Sequence, residues 1–374
     1  MSLFVTTVLL SSASVTRADV SSPPGPTQPK HLGLGSRDLA VVINTADPLS
    51  VQVGNYYIAK RHIQKANVAR VRFDYQRDEL PEGEFAAIKA SADRQLDARV
   101  QAYALTWARP YRVGCMSVTS AFAFGFDARF CATGCKPTIE SPYFNSPVAR
   151  PYDDLHMRPA MSLAAVDFQH AKALIDRGVQ ADGTMPRGTA YLVATDDAQR
   201  NVRAAQEYPL AIAVTKGSLK VENPAGALQS RPDVLFYFIG AETVPALSSN
   251  QFLPGAVGDH LTSFGGMLTD SAQMSSLRWL EAGATGSYGT VVEPCNFPGK
   301  FPHVAVLMAY YLAGETLIEA YWKSVQMPGQ GMFIGEPLST PFRRRPDRLV
   351  PGTKGPLRDP RLESNTPRRA TGPT

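Results

Sequence analysis

A histidine and a cysteine follow apolar runs in the stretch between Asp233 and Pro302: His260 in GAVGDHLTSFGGMLTD and Cys295 in GATGSYGTVVEPCNFPGKFP. A cysteine beside positive charge ionises readily and attacks carbonyl carbon, and an imidazole of near-neutral pKa is a natural base for it. On this reading Cys295 is the nucleophile, His260 the general base, and backbone N–H groups of the Gly-rich loops hold the oxyanion. Lys300 and His303 add positive charge close by in sequence, whereas Glu293 opposes a low thiol pKa. Both residues also have an ordinary structural use. Cys295 can be a free or disulfide-bonded loop cysteine between Pro294 and Pro298, and His260 can be a loop-fixing hydrogen-bond partner of Asp259.

Three further cysteines, Cys115, Cys131 and Cys135, share one loop-rich region and are candidates for a disulfide if the chain is exported. The spacing of Cys131 and Cys135 could begin a zinc site, but no second Cys or His pair stands at finger-like spacing, so no metal is expected. Asp153, Asp154 and His156 have the ligand types for an oxygen and nitrogen metal site, against which stands the ordinary role of such acids as solvated or capping groups. Thr195, Asp196 or Asp197 reads as the N-cap of a helix, with Asp196 or Asp197 at the functional edge as the alternative. Neither GLGS at 33–36 nor SFGGM at 263–267 has phosphate-binding spacing, so no nucleotide cofactor is expected. The missing G-x-S-x-G elbow argues against a serine α/β-hydrolase.

These groups need a scaffold, and its rhythm is legible. LAVVINT at 39–45 reads as a buried strand, followed by a helix with Val53, Tyr56, Tyr57, Lys60 and Ile63 at helical spacing. A strand at 68–75, a helix at 84–100 and a strand at 102–107 continue a β-α-β-α-β order. Such alternation predicts an α/β fold, a mostly parallel sheet with helices on both faces, whose carboxyl-terminal edge collects functional loops. From 111 to 161 the rhythm stops, and the segment reads as a cysteine-bearing insertion over the sheet. Its AFAFGFD run offers Phe122, Phe124, Phe126 and Asp127 as a surface for a protein or peptide partner. A helix from Ser162 to Arg177, a strand at 188–196, a helix carrying Arg200 and Arg203, the strands of the central stretch, a helix at 315–324 and the run MFIGEPL at 332–338 complete the domain. No internal repeat is evident.

The 374 residues, 44% of them hydrophobic and 19% charged, suit a globular chain with a large core. The net charge of +5 originates in the last residues: Pro341 to Thr374 hold nine Arg or Lys against three Asp or Glu. The folded part is therefore close to neutral, and no nucleic-acid partner is expected. The segment 1–30 reads as a signal-like or disordered start with a cleavage site after Ala18, 31–340 as one α/β domain with its insertion at 111–161, and 341–374 as a disordered basic tail. That tail could contact an anionic surface electrostatically. Export to the periplasm or the outside, without a transmembrane segment, is the expected location.

The motifs VINTADPLSVQVGNYYIAKRHI, AFAFGFD, HLTSFGG, GTVVEPCNFPGKFP, EAYWKSV and FIGEPL together resemble an uncharacterised family of predicted exported bacterial proteins, over Leu39 to Phe342. More distantly, SSLRWLEAGATGSYGT, GETLIEAYWKSV and FIGEPL look like the closing half of gingipain-type cysteine peptidases, whose fold is caspase-like. That resemblance implies a His-Gly after one strand and a Cys after the next. In its register those positions fall near Ile239 to Ala241 and Ser263 to Gly265, where neither residue type occurs. Two functions stay open: a non-catalytic binding or scaffolding module on a peptidase-like fold, or a cysteine hydrolase using Cys295 and His260.

Overall fold

The computed structural model describes residues 33–344, apart from 133–134 and 270. The signal-like segment and tail residues 345–374, with the proposed surface contact, lie outside the described residues. Leu34 is buried, the Phe342 ring meets Tyr311 edge-on, and Arg343 donates to the Gly314 carbonyl, so both ends of the described chain are tied to the domain.

The first half of the chain runs β1 (Leu39–Asn44), α1 (Pro48–Arg61), β2 (Val68–Val71), β3 (Glu79–Leu80), α2 (Glu82–Arg94) and β4 (Ala102–Leu105). Then follow β5 (Arg112–Val113), β6 (Met116–Ser117), α3 (Val118–Phe124), α4 (Pro151–Leu155), β7 (Ala160–Ser162) and α5 (Phe168–Ala181). The second half runs β8 (Thr189–Val193), α6 (Val202–Gln206), α7 (Tyr208–Thr215), β9 (Lys220–Glu222), β10 (Val234–Gly240) and β11 (Phe252–Leu261). It ends with α8 (Leu277–Ala282), β12 (Gly286–Thr290), α9 (Val304–Leu312), α10 (Leu317–Ser324) and β13 (Gly331–Gly335).

Ten strands form one sheet in the order β2-β1-β4-β7-β13-β12-β11-β10-β8-β9, parallel except where β13 meets β12. The α/β expectation is met. The order also contains a repetition the sequence hides: β2-β1-β4-β7 and β9-β8-β10-β11 each place the first strand of their half beside its second on one flank and its third and fourth on the other. All pairings within both quartets are parallel.

Strand alternation sorts the core. Leu39, Val41 and Ile43 of β1 face the layer that contains Val53 and Tyr57 of α1 with much of α7, α9 and α10, while Ala40 and Val42 face Phe85 and Ile88 of α2 and Phe122 of α3. The 111–161 segment is less of an excursion than its composition implied. Ala160–Ser162 is a central strand, and the helix expected from Ser162 begins only at Phe168, where Asp167 accepts the His170 N–H. A three-residue strand buried on both faces has no period to read.

The far end of β13 stitches the halves together. Glu336 is fully buried and accepts hydrogen bonds from Tyr57 and Arg61, while Arg61 also pairs with Asp182.

Candidate functional site

At the carboxyl-terminal edge of the second quartet, β8 ends at Val193, β10 at Gly240 and β11 at Leu261, with β12 ending at Thr290 beside them. After β8 the chain turns at Asp197, whose carboxylate accepts the Arg200 N–H at 3.0 Å and pairs with the Arg200 guanidinium. The N-cap expected at Thr195, Asp196 or Asp197 lies instead at Asn201, whose side chain makes no cap hydrogen bond, and Asp197 closes the turn before it. The turn launches α6, which carries Arg203 beneath the edge. Pro209 has no N–H to continue the helix, so α6 and α7 are separate, and Glu207 lies at their joint.

Arg203 and Asp259 form an ion pair at 2.7 Å, each 1% exposed. The guanidinium also donates to the Ile239 carbonyl at 3.2 Å. Burial opposes charge on Arg203, but Asp259, Tyr208 and Glu207 around it hold its pKa above the ordinary range. Glu207 accepts the Val304 N–H at 2.9 Å, which caps the start of α9 where His303 makes no side-chain cap. Burial pushes the Glu207 carboxyl up to about 8, against the pull of Arg203 and of that N–H. His303, half-buried, is lowered by burial and by the Arg203 charge.

Alternation along β11 sends His260 to the opposite face from Asp259. His260 is therefore inside a strand, and it is not a loop partner of Asp259. Its Nδ1 accepts from Trp279 Nε1–H at 2.9 Å, and its Nε2–H donates to the Met274 carbonyl at 3.0 Å. Burial is the main cause that lowers its pKa to about 4, with Arg203 and Arg200 adding to the effect. Both nitrogens are spent and the ring is 1% exposed.

Cys295 is bonded to Cys135, and Cys115 to Cys131. A disulfide sulfur carries no thiolate, so the expected catalytic pair of Cys295 and His260 is not assembled. The bridge expected among the first three cysteines is present as Cys115–Cys131, while Cys135 reaches across the chain to the EPCN loop. There Cys295 and Asn296 both adopt left-handed backbone, with φ of 58° and 53°, and Glu293 accepts the Cys295 N–H. Lys300 is fully buried, and burial lowers its pKa while Glu293 opposes that. Its Nζ has no hydrogen-bond partner among the described residues and lies 5.1 Å from the Phe297 ring centre.

The aromatic candidates are displaced too. Phe122 is wholly buried against Phe85, Tyr103 and Trp107, and Phe124 stacks on Phe130 and meets Trp322. Phe126 packs partly buried beside Gly114, and Asp127 accepts the Arg129 N–H and pairs with its guanidinium. AFAFGFD is thus the end of a core helix, its Gly125 cap and a half-buried turn, with Phe122 unavailable to a partner. Asp153, one of the acids considered for a metal, is bound to Arg150 and Gln101. No group of three metal-type ligands comes together among the described residues, and no described helix is long and apolar enough to cross a membrane.

What the edge does hold is a cavity of about 170 Å³, lined by Phe144, Glu207, Phe301, His303 and Ser324, with exposed Gln206 at its rim. Glu207 Oε1 and His303 Nδ1 are buried without hydrogen-bond partners among the described residues. The sequence marked His303 only as a charge near Cys295 and gave no sign of Glu207, because their meeting depends on α7 packing beside α9.

The architecture defines a mixed α/β protein with a ten-stranded, mostly parallel sheet. No protein-family model matches the chain. No curated protein matches it in sequence. Among solved structures, a chain titled "Structure of Protease" is similar at 12% identity and a TM-score of 0.45, over 83% of this chain and 80% of that one.

Proposed function

We propose that the chain is an exported, non-catalytic binding or scaffolding module on a peptidase-like α/β fold, engaging a protein or peptide partner. The observation that carries this reading is the double occupation of the would-be dyad: the Cys295 sulfur is bonded to Cys135, and both His260 nitrogens are held by Trp279 and Met274. Hydrolysis by this pair would need a bond broken and a buried imidazole released. The two disulfides support an oxidising location, hence export. The second quartet's edge, and not the Phe-rich helix, is the face such a module would use.

Thiol accounting tests it. The purified chain is alkylated natively and after denaturation, with and without reductant, and read by mass spectrometry. The module reading expects no alkylation before reduction. Rapid native alkylation of Cys295, slowed by His260→Gln, would replace it with the cysteine hydrolase.

A further inference from the structure

The sheet has two lateral flanks, and the chain finishes only one of them. On the β2 flank the Gln95 amide, just past the end of α2, accepts the Arg70 N–H and donates to the Arg70 carbonyl, both at 2.9 Å, so a side chain takes the place of a further strand. On the other flank β9 lies outermost, paired with β8 from Thr189–Lys220 to Tyr191–Glu222, and the same register continues to a bridge between Ala194 and Ala225. At that bridge the Pro224 carbonyl and the Gly226 N–H face β8. Alternation along the extended chain then turns the N–H and C=O of Val221, Asn223 and Ala225 outward. Asn223 and Ala225 are exposed, and no described side chain covers these groups as Gln95 covers Arg70. Pro224 lacks an N–H only on the β8 side, so the outer row of donors is intact.

The helix before β9 is unfinished as well. α7, YPLAIAVT, is apolar nearly all round, as α9 is, but α9 is buried along almost its whole length whereas α7 buries only Tyr208, Ala211 and Thr215. Pro209, Ile212 and Ala213 on its opposite side are exposed, Ile212 at 42%. A helix this apolar is ordinarily covered. Val221 packs against the same core layer as α7, so its side chain and α7 share one face of the sheet. Alternation puts Lys220 and Glu222 on the other face, where they pair at 2.7 Å and Arg231 stands 4.0 Å from Glu222.

The order Lys-Val-Glu selects the occupant. When β9 pairs antiparallel with itself about Val221, the two valines exchange N–H···O=C bonds and Lys220 of each copy stands opposite Glu222 of the other. The registers on either side set Glu222 opposite Glu222 or Lys220 opposite Lys220, and like charge opposes both. The two-fold axis of the favoured register is normal to the sheet, so both α7 helices flank it on one face.

We propose that β9 is the contact strand of a two-fold homodimer, with Val221 on the axis, Lys220 and Glu222 pairing across it, and the outer side of α7 covered on the opposite face. The pairing goes beyond the binding-module reading and does not depend on it. Sedimentation equilibrium of the full oxidised chain, from low to high micromolar concentration, tests it and should show a monomer–dimer equilibrium. Lys220→Glu sets glutamates opposite glutamates, and Glu222→Lys sets lysines opposite lysines. Each should weaken the dimer about tenfold with an unchanged circular dichroism spectrum. Mixing the two variants restores opposite charges at every position, so a heterodimer of native affinity should form, and the chain carrying both changes should self-associate as the native one does. Ile212→Asn should weaken the dimer about threefold. A mixture as weak as its components overturns the inference, as does a dimer indifferent to both charge changes. So does a chain that stays monomeric throughout, whether or not it takes up an extended Thr-Val-repeat peptide.

Discussion

The two quartets of the sheet share a strand order and part company at their carboxyl-terminal edges. In the first, the edge is closed by neutral hydrogen bonds. Ser50 accepts the Asn44 N–H at 2.9 Å and meets Thr106 at 2.6 Å, Thr106 donates to the Val42 carbonyl, and Asn44 reaches the Phe73 carbonyl. In the second, the same position in the topology holds Arg203, Asp259, Glu207 and His303, several atoms of which have no hydrogen-bond partner among the described residues. One architecture thus supports a sealed edge and an unfinished one. The difference lies in which side chains the strand ends and the helices that follow them bring to the edge.

The largest expected effect tests the charged edge. Asp259→Ala leaves Arg203 buried and unpaired and should cost about 3–5 kcal/mol in urea unfolding, whereas Thr106→Val in the neutral edge should cost about 1–2 kcal/mol. Equal losses would erase the contrast. Next, removing the long bridge with Cys135→Ser and Cys295→Ser should lower stability by about 2–4 kcal/mol. Ser50→Ala, which strips a partner from the Asn44 N–H, should cost about 1 kcal/mol.

A pH limb gives a further test. Glu207 titrates near 8 when folded against an ordinary 4.5. Between those values the folded state binds the extra proton, so the contribution is full below 4.5 and is lost as pH rises through about 8. His260, lowered to about 4 from 6.5, behaves in the opposite sense: its contribution is present above 6.5 and is lost as pH falls through about 4. Urea midpoints should therefore decline on both sides, with a slope of at most about 1.4 kcal/mol per pH unit for each group. Glu207→Gln should remove the alkaline limb alone. An unchanged limb in that variant would show that the charge on Glu207 is not what distinguishes the second edge.

Much of the scaffold was legible because VLFYFIG and LAVVIN are continuous apolar runs bounded by polar residues. α9, VAVLMAYYL, went unread because it is buried nearly all round and shows no helical stripe. His260 was placed at a strand end because Gly258 and Asp259 look like breakers. In fact Gly258 makes room for Trp279, whose ring would lie 2.5 Å from a Cβ there, and Asp259 is paired inside the fold. The Phe-rich helix looked like a surface because its neighbours in sequence are loops, while its neighbours in space are Trp107, Trp322 and Phe85. Cys135 and Cys295 are separated by 160 residues, and cysteine spacing cannot supply connectivity at that range.

The bridge pattern also sets a timetable for biosynthesis. A chain oxidised as it emerges, amino end first, presents Cys115 and Cys131 before Cys135, and joining those first two is already correct. Cys135 must then wait as a thiol until nearly all of β7 to β12 has been made. Once closed, the second bridge encircles that whole stretch, so a single protease nick within it leaves both pieces covalently joined.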